Sequence, residues 1–249
     1  MNAPTRPPLI LVTGGARRVG AEIARQLHAT GANLVLHCNH SRTEAETLAA
    51  QLNAIRPHSA SVLEGNLAID GVAEKLATTL LRQHGYLDAL VNNASSFFPT
   101  PIGQIDHTAW DNLIGSNLKG PLFLSQALAP ALRQRKGAIV NIIDIHARRP
   151  LRNYPLYCTA KAGLAGLTRA LAVELGPEVR VNGIAPGAIE WPEDGQFPHE
   201  EQAEIIRNTL LQRKGSPADI ARTVQFLICD APYISGQIIA VDGGRSIHL

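Results

Sequence analysis

Residues 9–20 read LILVTGGARRVG, and this stretch decides the fold. The apolar run Leu9–Thr13 has the length of a strand and stops at Gly14-Gly15, and a helical pattern of apolar residues then extends from about Val19 to Thr30. Glycines between a strand and a helix let the backbone approach a pyrophosphate, and the helix N-terminus offers free N–H groups. An ordinary tight turn has the same composition. The position after the first strand is therefore what favours a phosphate-binding loop.

Strand-length apolar runs and helix-length periodic segments alternate along the whole chain. Ser41 with Glu44 predicts a capping box ahead of a helix that reaches about Ile55. The predicted strands are nearly continuous in Val, Ile and Leu, which is typical of a sheet buried on both faces. These strands are Leu9–Thr13, Asn33–His37, Ser59–Glu64, Asp88–Val91, Ala138–Ile143, Val179–Ile184 and Ile238–Val241.

The alternation predicts an α/β fold with parallel βαβ units, in which helices cover both faces of a doubly wound, seven-stranded parallel sheet. We assign residues 9–249 to this single domain and residues 1–8 to a flexible N-terminal arm. A long irregular stretch rich in Gly, Pro and acidic residues, at about 186–200, is the predicted substrate loop.

Composition excludes several classes of protein. Of the 249 residues 45% are hydrophobic and 18% are charged, and the net charge of +2 is too small for an electrostatic nucleic-acid binder. No apolar run approaches the roughly 18–20 residues that span a bilayer, so we expect no membrane partner. Three widely separated cysteines show no metal-ligand spacing and predict reduced thiols in a cytoplasmic protein.

The end of the second strand bears on the choice of nucleotide. An acid about 20 residues after the glycine-rich loop would bind the ribose hydroxyls of NAD, but residues 37–42 read HCNHSR and contain no acid. Arg17, His40, Ser41 and Arg42 could instead hold the additional phosphate of NADP through charge-assisted hydrogen bonds. In the alternative interpretation His40 and Arg42 are solvated and Ser41 only caps a helix.

Tyr157 and Lys161 form a Tyr-x-x-x-Lys motif in a helical segment, so both side chains share one helix face. An ammonium at this spacing favours phenolate and can lower the pKa of a tyrosine toward working pH. Asp144 follows a buried strand thirteen residues upstream and can face the same cleft. Asn117 lies inside a predicted helix, where an asparagine lowers helix stability, so we expect its amide to have a specific role. Taken alone, the motif could also be a surface tyrosine and a solvated lysine.

With these motifs in order, the chain resembles short-chain dehydrogenases/reductases over essentially its whole length. The matching elements are the Thr13–Gly20 loop, Asn92-Asn93-Ala94, Asn117, Tyr157 with Lys161, and Pro186-Gly187. The resemblance implies a Rossmann fold and nicotinamide chemistry. It also implies a homotetramer built on two long helices near Ile105–Arg133 and Tyr154–Gly176.

At two positions the chain departs from the usual family pattern and is similar to pteridine reductases instead: Arg18 stands in place of a glycine, and Asp144 stands in place of a serine. Residues 37–41 and 92–101 carry the same resemblance. It implies that Arg17, Arg18 and Ser41 contact cofactor phosphates. The implied cofactor-binding residues are Gly14, Arg17, Arg18, Val19, Gly20, His37, His40, Ser41, Asn66, Leu67, Asn93, Ala94, Ser95, Tyr157, Lys161, Pro186 and Gly187. The implied substrate-binding residues are Arg18, Ser95, Phe97, Asp144, Tyr157 and Trp191, and no metal site is expected.

The predicted activity is therefore hydride transfer from NADPH to the C=N bond of a dihydropterin, with a dihydrobiopterin-like compound or dihydrofolate as the partner molecule. By resemblance, Lys161 holds the nicotinamide ribose, Asp144 helps to place a proton with Tyr157, and Asn117 orders a water chain. Phe97 is expected to stack on the pterin, or alternatively to fill a gap in the core. Asp144 could also be only a helix cap.

Two other functions stay open, a carbonyl reductase for a sugar or oxoacyl substrate and a non-catalytic cofactor-binding regulator. The basic residues Arg148, Arg149 and Arg152 lie between Asp144 and Tyr157. They could attract the glutamate tail of a folate or pair with acids across a subunit interface, and the sequence does not separate these two roles.

Overall fold

Seven parallel strands form one sheet in the order β3-β2-β1-β4-β5-β6-β7. The computed structural model describes residues 6–191 and 197–247. The strands are β1 Leu9–Val12, β2 Asn33–Cys38, β3 Ala60–Glu64, β4 Ala89–Asn92, β5 Ala138–Ile142, β6 Arg180–Pro186 and β7 Ile238–Val241. Each predicted strand agrees with the observed one within two residues, and the predicted doubly wound α/β fold is confirmed. The strand order reverses between β1 and β4, so a crevice opens at the carboxyl ends of these two strands.

Eight α-helices of the described residues cover the two faces of the sheet. They are α1 Arg18–Ala29, α2 Arg42–Ile55, α3 Val72–His84, α4 His107–Ile114, α5 Gly120–Arg135, α6 Pro155–Leu175, α7 His199–Arg207 and α8 Pro217–Gln225. Alternation along β1 shows why both faces are covered, because Ile10 and Val12 pack in one core with α1, α2 and α8. Leu9 and Leu11 pack on the opposite face with α3, α5 and the end of α6.

Two local predictions need correction. The capping box at Ser41 is wrong: the Ser41 side chain makes no capping hydrogen bond, and the Glu44 carboxylate instead lies 3.7 Å from the Arg17 guanidinium. The helix predicted over 105–133 is interrupted, because a π-helical turn at Gly115–Lys119 separates α4 from α5. The second long helix is α6, which agrees with its predicted range within one residue at each end.

Parts of the predicted arm and substrate loop lie outside the described residues, namely 1–5 and 192–196. The described end of the arm contacts the domain. The Arg6 guanidinium lies 3.6 Å from the centre of the Tyr86 ring, and the Tyr86 hydroxyl donates to the Pro7 carbonyl at 3.0 Å. Within residues 6–191 and 197–247, no helix combines the length and apolar character needed to cross a membrane.

Candidate active site

A cleft of about 530 Å³ lies at the carboxyl ends of β1, β4, β5 and β6. The structure brings together in its wall most of the residues predicted to bind cofactor. They are Gly14, Arg17, Arg18, Val19, Gly20, His37, His40, Ser41, Asn93, Ala94, Ser95, Tyr157, Lys161, Pro186 and Gly187. Asn66 and Leu67 are not in this wall. Asn66 accepts the Ala68 N–H at 3.0 Å and Leu67 is buried in the core, so their contact with a cofactor stays a prediction.

The glycine-rich loop has the backbone that the sequence predicts. Gly14 has a φ of +60°, in the left-handed region that favours glycine, and a Cβ on Gly20 would overlap the Gly14 carbonyl oxygen. Helix α1 begins directly behind the loop, with no side-chain cap and no acid in its first turn. Its first N–H groups and the positive end of its dipole are therefore available to an anion.

Two residues implied to bind the cofactor hold the loop in the structure. The Asn93 amide donates to the carbonyls of Thr13 and Gly14 at 2.9 and 3.1 Å. The Gly14 N–H donates to Nδ1 of His37 at 3.3 Å, so Nε2 carries the proton that is donated to the Gly65 carbonyl at 2.8 Å. Burial lowers the pKa of His37, which keeps the ring neutral in this role.

Arg17, His40 and Ser41 lie at the β2 end of the cleft, and no carboxylate from β2 or the turn after it faces them there. Arg42 differs from the prediction because its guanidinium bonds to Glu46 and Glu64, each at 2.8 Å, and it does not line the cleft. The phosphate-binding interpretation therefore rests on the other three residues.

Asp144 and Tyr157 are in direct contact. The Tyr157 hydroxyl donates to Oδ2 of Asp144 at 2.7 Å, and the other carboxylate oxygen accepts the His146 N–H at 2.8 Å. Asp144 is thus both the partner of Tyr157 and the cap of a short 3-10 turn, Ile145–Ala147. The structure therefore shows both the contact with Tyr157 and the cap, and the part of Asp144 in proton transfer stays a prediction.

Lys161 lies one turn after Tyr157 on α6 and is 2% exposed. Its Nζ donates to the Ile142 carbonyl at 3.0 Å and lies 5.6 Å from the centre of the Tyr157 ring. Burial lowers the pKa of Lys161 to about 8. Burial, together with the charge of Asp144, raises the pKa of Tyr157 well above its usual value. The expected lowering of the tyrosine pKa by Lys161 is therefore wrong for this cleft, since burial and Asp144 dominate.

Asn117 is fully buried in the π-helical turn between α4 and α5. Its Nδ2 donates to the carbonyls of Ser96 and Leu113, both at 2.9 Å, and its Oδ1 accepts the Ser95 hydroxyl at 2.6 Å. These contacts join the turn to the segment after β4. Asn117 therefore positions these two segments relative to each other, which explains why its amide is buried. The part of Asn117 in a water chain stays a prediction.

A second cavity of about 210 Å³ adjoins the cleft and contains the residues predicted to bind substrate, except Ser95, which lines the cleft. Phe97 stacks on Tyr154 with ring centres 4.6 Å apart, meets Tyr157 edge-on, and lies parallel to Phe197 at 6.3 Å. Trp191 packs on Phe197 at 5.9 Å. This aromatic wall beside Asp144 and Tyr157 suits a flat ring.

The comparisons with known proteins agree with this geometry. A family model described as enoyl-(acyl carrier protein) reductase matches residues 14–246. The chain belongs to the short-chain dehydrogenase/reductase family. Pteridine reductase 1 of Leishmania tarentolae is 36% identical over 281 aligned positions, covering 96% of both chains. The 3-oxoacyl-[acyl-carrier-protein] reductases FabG of Staphylococcus epidermidis and Staphylococcus aureus are 34% and 35% identical over 237 positions, covering 94% of this chain and 97% and 96% of theirs.

This short-chain reductase is an oxidoreductase, and NADPH is its cofactor. The chain's own residues suit that nucleotide. The loop leaves room for a pyrophosphate, the start of α1 offers N–H donors, and Arg17, His40 and Ser41 offer basic and hydroxyl groups beyond β2. Lys161 and Tyr157 line the far end of the same cleft, where a nicotinamide ribose would be held.

Arg18 stands where the usual loop of the short-chain reductases has a glycine, and the structure shows what the arginine does. Its φ of +51° is left-handed, which explains the usual glycine. The Arg18 Nε donates to the Glu190 carboxylate at 2.9 Å, and Nη2 donates to the Glu190 carbonyl at 3.0 Å. Arg18 therefore joins the phosphate loop to the substrate loop. Glu190 could not be identified from the sequence, because its partner is 172 residues away.

Proposed function

We propose that this protein is an NADPH-dependent dihydropterin reductase that converts a dihydropterin to its tetrahydro form. Bound NADPH supplies the hydride, which is added to the carbon of a C=N bond. The nitrogen of that bond must then gain one proton. The observation that carries the proposal is the 2.7 Å hydrogen bond from the Tyr157 hydroxyl to the Asp144 carboxylate, in the wall of an aromatic cavity.

The proton comes from the Tyr157–Asp144 pair. Because burial and the Asp144 charge raise the pKa of Tyr157, the phenol stays protonated and is a poor acid by itself. Asp144, which shares a hydrogen bond with the phenol, takes up one proton from solvent and passes it to the ring nitrogen, directly or through a water, so that the carboxylate is regenerated. Ring nitrogens are more basic than carbonyl oxygens, so they need a less strongly activated acid.

In this proposal Lys161 binds and orients the cofactor and does not transfer a proton. Its buried Nζ is anchored to the Ile142 carbonyl, and it retains further N–H donors for the ribose hydroxyls of the cofactor. A lysine pKa of about 8 leaves most of the side chain charged at neutral pH. Arg18 and Glu190 line the same cleft.

The substrate is held by the aromatic wall. Phe97 and Phe197 line the cavity with nearly parallel rings, and a stacked flat ring gains about 0.5–1.5 kcal/mol per contact beyond area burial. An acyl chain has no aromatic face and gains no stacking energy from this geometry. The identity to pteridine reductase 1 supports the same substrate class.

A carbonyl reductase is the second candidate, because Tyr157 and Lys161 also serve that chemistry and the two FabG relatives are almost as similar in sequence. A non-catalytic regulator has less support, since both residues of the Tyr-x-x-x-Lys pair are present. We further propose that the enzyme acts in the cytoplasm, in keeping with three free cysteines.

The test measures substrate-dependent NADPH oxidation by the purified protein. The panel contains dihydrobiopterin, dihydrofolate, biopterin, a 3-oxoacyl thioester and a sugar ketone. We expect turnover of the dihydropterins with kcat/KM at least about tenfold above either carbonyl compound. Faster reduction of the 3-oxoacyl thioester would contradict the proposal and favour the second candidate.

A further inference from the structure

A third cavity, of about 440 Å³, lies beside the substrate cavity. Four residues line both cavities, and we call them the neck: His146, Leu151, Ile205 and Arg245. Beyond the neck, the wall contains Glu201 and Glu204 of helix α7, Asn208 at the end of that helix, and Arg149 from the segment after β5. A substituent on a ring held beside Phe97 and Tyr157 could therefore reach the third cavity by passing the neck.

Arg245 is the residue of this neck with the greatest unused binding capacity. It follows the Asp242-Gly243-Gly244 turn after β7, and its side chain is partly buried. Within residues 6–191 and 197–247 its guanidinium makes no hydrogen bond or ion pair. Burial lowers its pKa, and the charges of Asp144, Asp242 and Glu201 oppose that shift. A guanidinium carries five N–H donors, and leaving them desolvated is costly, so a ligand with acceptor atoms gains by binding here.

The charges around the third cavity decide which acceptor fits. Arg149 and Arg245 are balanced by Glu201 and Glu204, so the wall has no net charge to attract a carboxylate. His146 donates from Nδ1 to the Arg149 carbonyl at 2.8 Å, which leaves Nε2 as an acceptor when the ring is neutral. A hydroxyl both donates and accepts, and it can use a wall of alternating donors and acceptors.

We propose that the third cavity is the subsite for the substrate's side chain and that it takes a short chain bearing hydroxyl groups, with Arg245 donating to a hydroxyl at the neck. This inference rests on the proposed function and narrows its substrate class. A folate carries a carboxylate tail, and a wall in which Glu201 and Glu204 offset the two arginines gives that tail no net attraction, so the subsite disfavours folates. Arg245 is a specificity residue in this account and has no part in the hydride or proton transfer.

The test compares three substrates that share one reacting ring: dihydrobiopterin with two side-chain hydroxyls, a dihydropterin with only a methyl group, and dihydrofolate. In Arg245→Leu we expect kcat/KM for dihydrobiopterin to fall about tenfold, the scale of one charge-assisted hydrogen bond. The value for the methyl compound should change less than about twofold. Arg245→Lys should recover part of the loss because an ammonium still donates. The matched control Arg207→Leu, at an exposed arginine of α7, should leave all three values unchanged.

A second pair of substitutions probes the acids. Replacing Glu201 and Glu204 by glutamine should raise kcat/KM for dihydrofolate several-fold and leave the methyl compound unchanged. An equal loss on dihydrobiopterin and the methyl compound in Arg245→Leu would overturn the subsite, as would a wild-type preference for dihydrofolate. If the wild-type protein reduces none of the three, the proposed function itself fails. Because that result appears before any variant is made, the two failures can be told apart.

Discussion

Single residues in this cleft divide into those that contact the reacting molecules and those that hold the backbone for them. Tyr157, Lys161 and Asp144 belong to the first group in our account, because they line the cleft beside the aromatic wall. Asn93 and His37 belong to the second group, because their side-chain nitrogens form hydrogen bonds with the backbone of the phosphate loop and, for His37, with the Gly65 carbonyl. This division explains how a cleft of polar side chains keeps one shape before ligands arrive.

Nucleotide preference is a property of a few residues beyond β2. We expect wild-type kcat/KM for NADPH to exceed that for NADH more than tenfold, because one charge-assisted phosphate contact contributes about 1.5–3 kcal/mol. Arg17→Met should lower kcat/KM for NADPH and leave kcat/KM for NADH unchanged, so that the preference for NADPH falls about tenfold. Arg25→Met is the matched control, because Arg25 is exposed on the same helix and does not line the cleft. Equal efficiency of the wild-type protein with both nucleotides would contradict the assignment.

His37 predicts a pH dependence of stability. Its folded-state pKa lies below the usual value of about 6.5, and the pKa values of His28 and His84 are lowered too. As the pH falls below about 6.5, the unfolded chain takes up protons that the folded chain refuses, so the free energy of unfolding decreases. Each such histidine contributes at most about 1.4 kcal/mol per pH unit.

Urea unfolding between pH 7.5 and pH 5, at pH intervals of about half a unit, measures this effect. Above pH 7 the histidines should leave the free energy of unfolding nearly independent of pH. Below pH 7 we expect that free energy to decrease as the pH falls, and to decrease less steeply in His37→Asn. A free energy of unfolding that rises on acidification over this range would be inconsistent with buried neutral histidines.

At the scale of elements, a buried polar network ties strands β4 and β5 to helix α6. The Asn141 amide donates to Thr168 Oγ1 on α6 at 2.9 Å, and the Asn92 amide donates to Asn141 Oδ1 at 2.8 Å. The Thr168 hydroxyl in turn donates to the Leu164 carbonyl at 2.8 Å. All three side chains are buried, so each bond replaces one that water would otherwise make.

Thr168→Val preserves the shape of the side chain and removes the acceptor of the Asn141 amide. We expect the free energy of unfolding to fall by about 1–3 kcal/mol, the cost of an unsatisfied buried donor. NADPH binding should stay near normal because Thr168 does not line the cleft. Chemical denaturation together with nucleotide titration separates the two quantities. Thr78→Val on α3 is the control, since its exposed hydroxyl bonds only within its own helix. Unchanged stability of Thr168→Val would argue against the network.

The sequence predicts elements well where local pattern and burial agree. Strand β1 is a continuous apolar run between Pro8 and Thr13, and its ends are therefore visible in the chain. The π-helical turn at Gly115–Lys119 was not predictable, because it depends on Asn117 reaching Ser95 and Ser96, about twenty residues away. The capping box failed for a similar reason, since Glu44 is drawn to Arg17 in another loop.

The same rule applies to the site. Tyr157, Lys161 and Asp144 could be found because their spacing and their place after a strand have chemical meaning. Glu190 could not, because its partner Arg18 is distant in the chain, and Arg245 could not, because only the fold brings it into the wall of the substrate cavity. Charged residues in loops offer no periodicity from which such contacts can be inferred.

At the scale of the whole molecule, we propose a closed, symmetric homotetramer built on the helices around α4, α5 and α6. Ile102, Trp110, Phe123 and Val173 in and beside these helices are exposed in the single chain, with Val173 at 79%. Light scattering should return about four times the chain mass of 26.7 kDa at micromolar concentration. Val173→Glu should shift the mass toward dimer or monomer. A stable wild-type monomer would contradict this assembly.

The most direct test of the central claim, that Asp144 and Tyr157 together protonate a pterin ring nitrogen, is the dependence of kcat on pH for the wild-type protein and Asp144→Ser. Serine can still cap the Ile145–Ala147 turn, but it provides no carboxylate for the Tyr157 hydroxyl. We predict that kcat on dihydrobiopterin falls about 100-fold or more, the scale of general acid catalysis, and that the pH profile shifts because the phenol pKa decreases. NADPH affinity, measured separately, should stay near the wild-type value. Wild-type turnover in Asp144→Ser, with an unchanged profile, would reduce Asp144 to a structural cap and favour the carbonyl reductase.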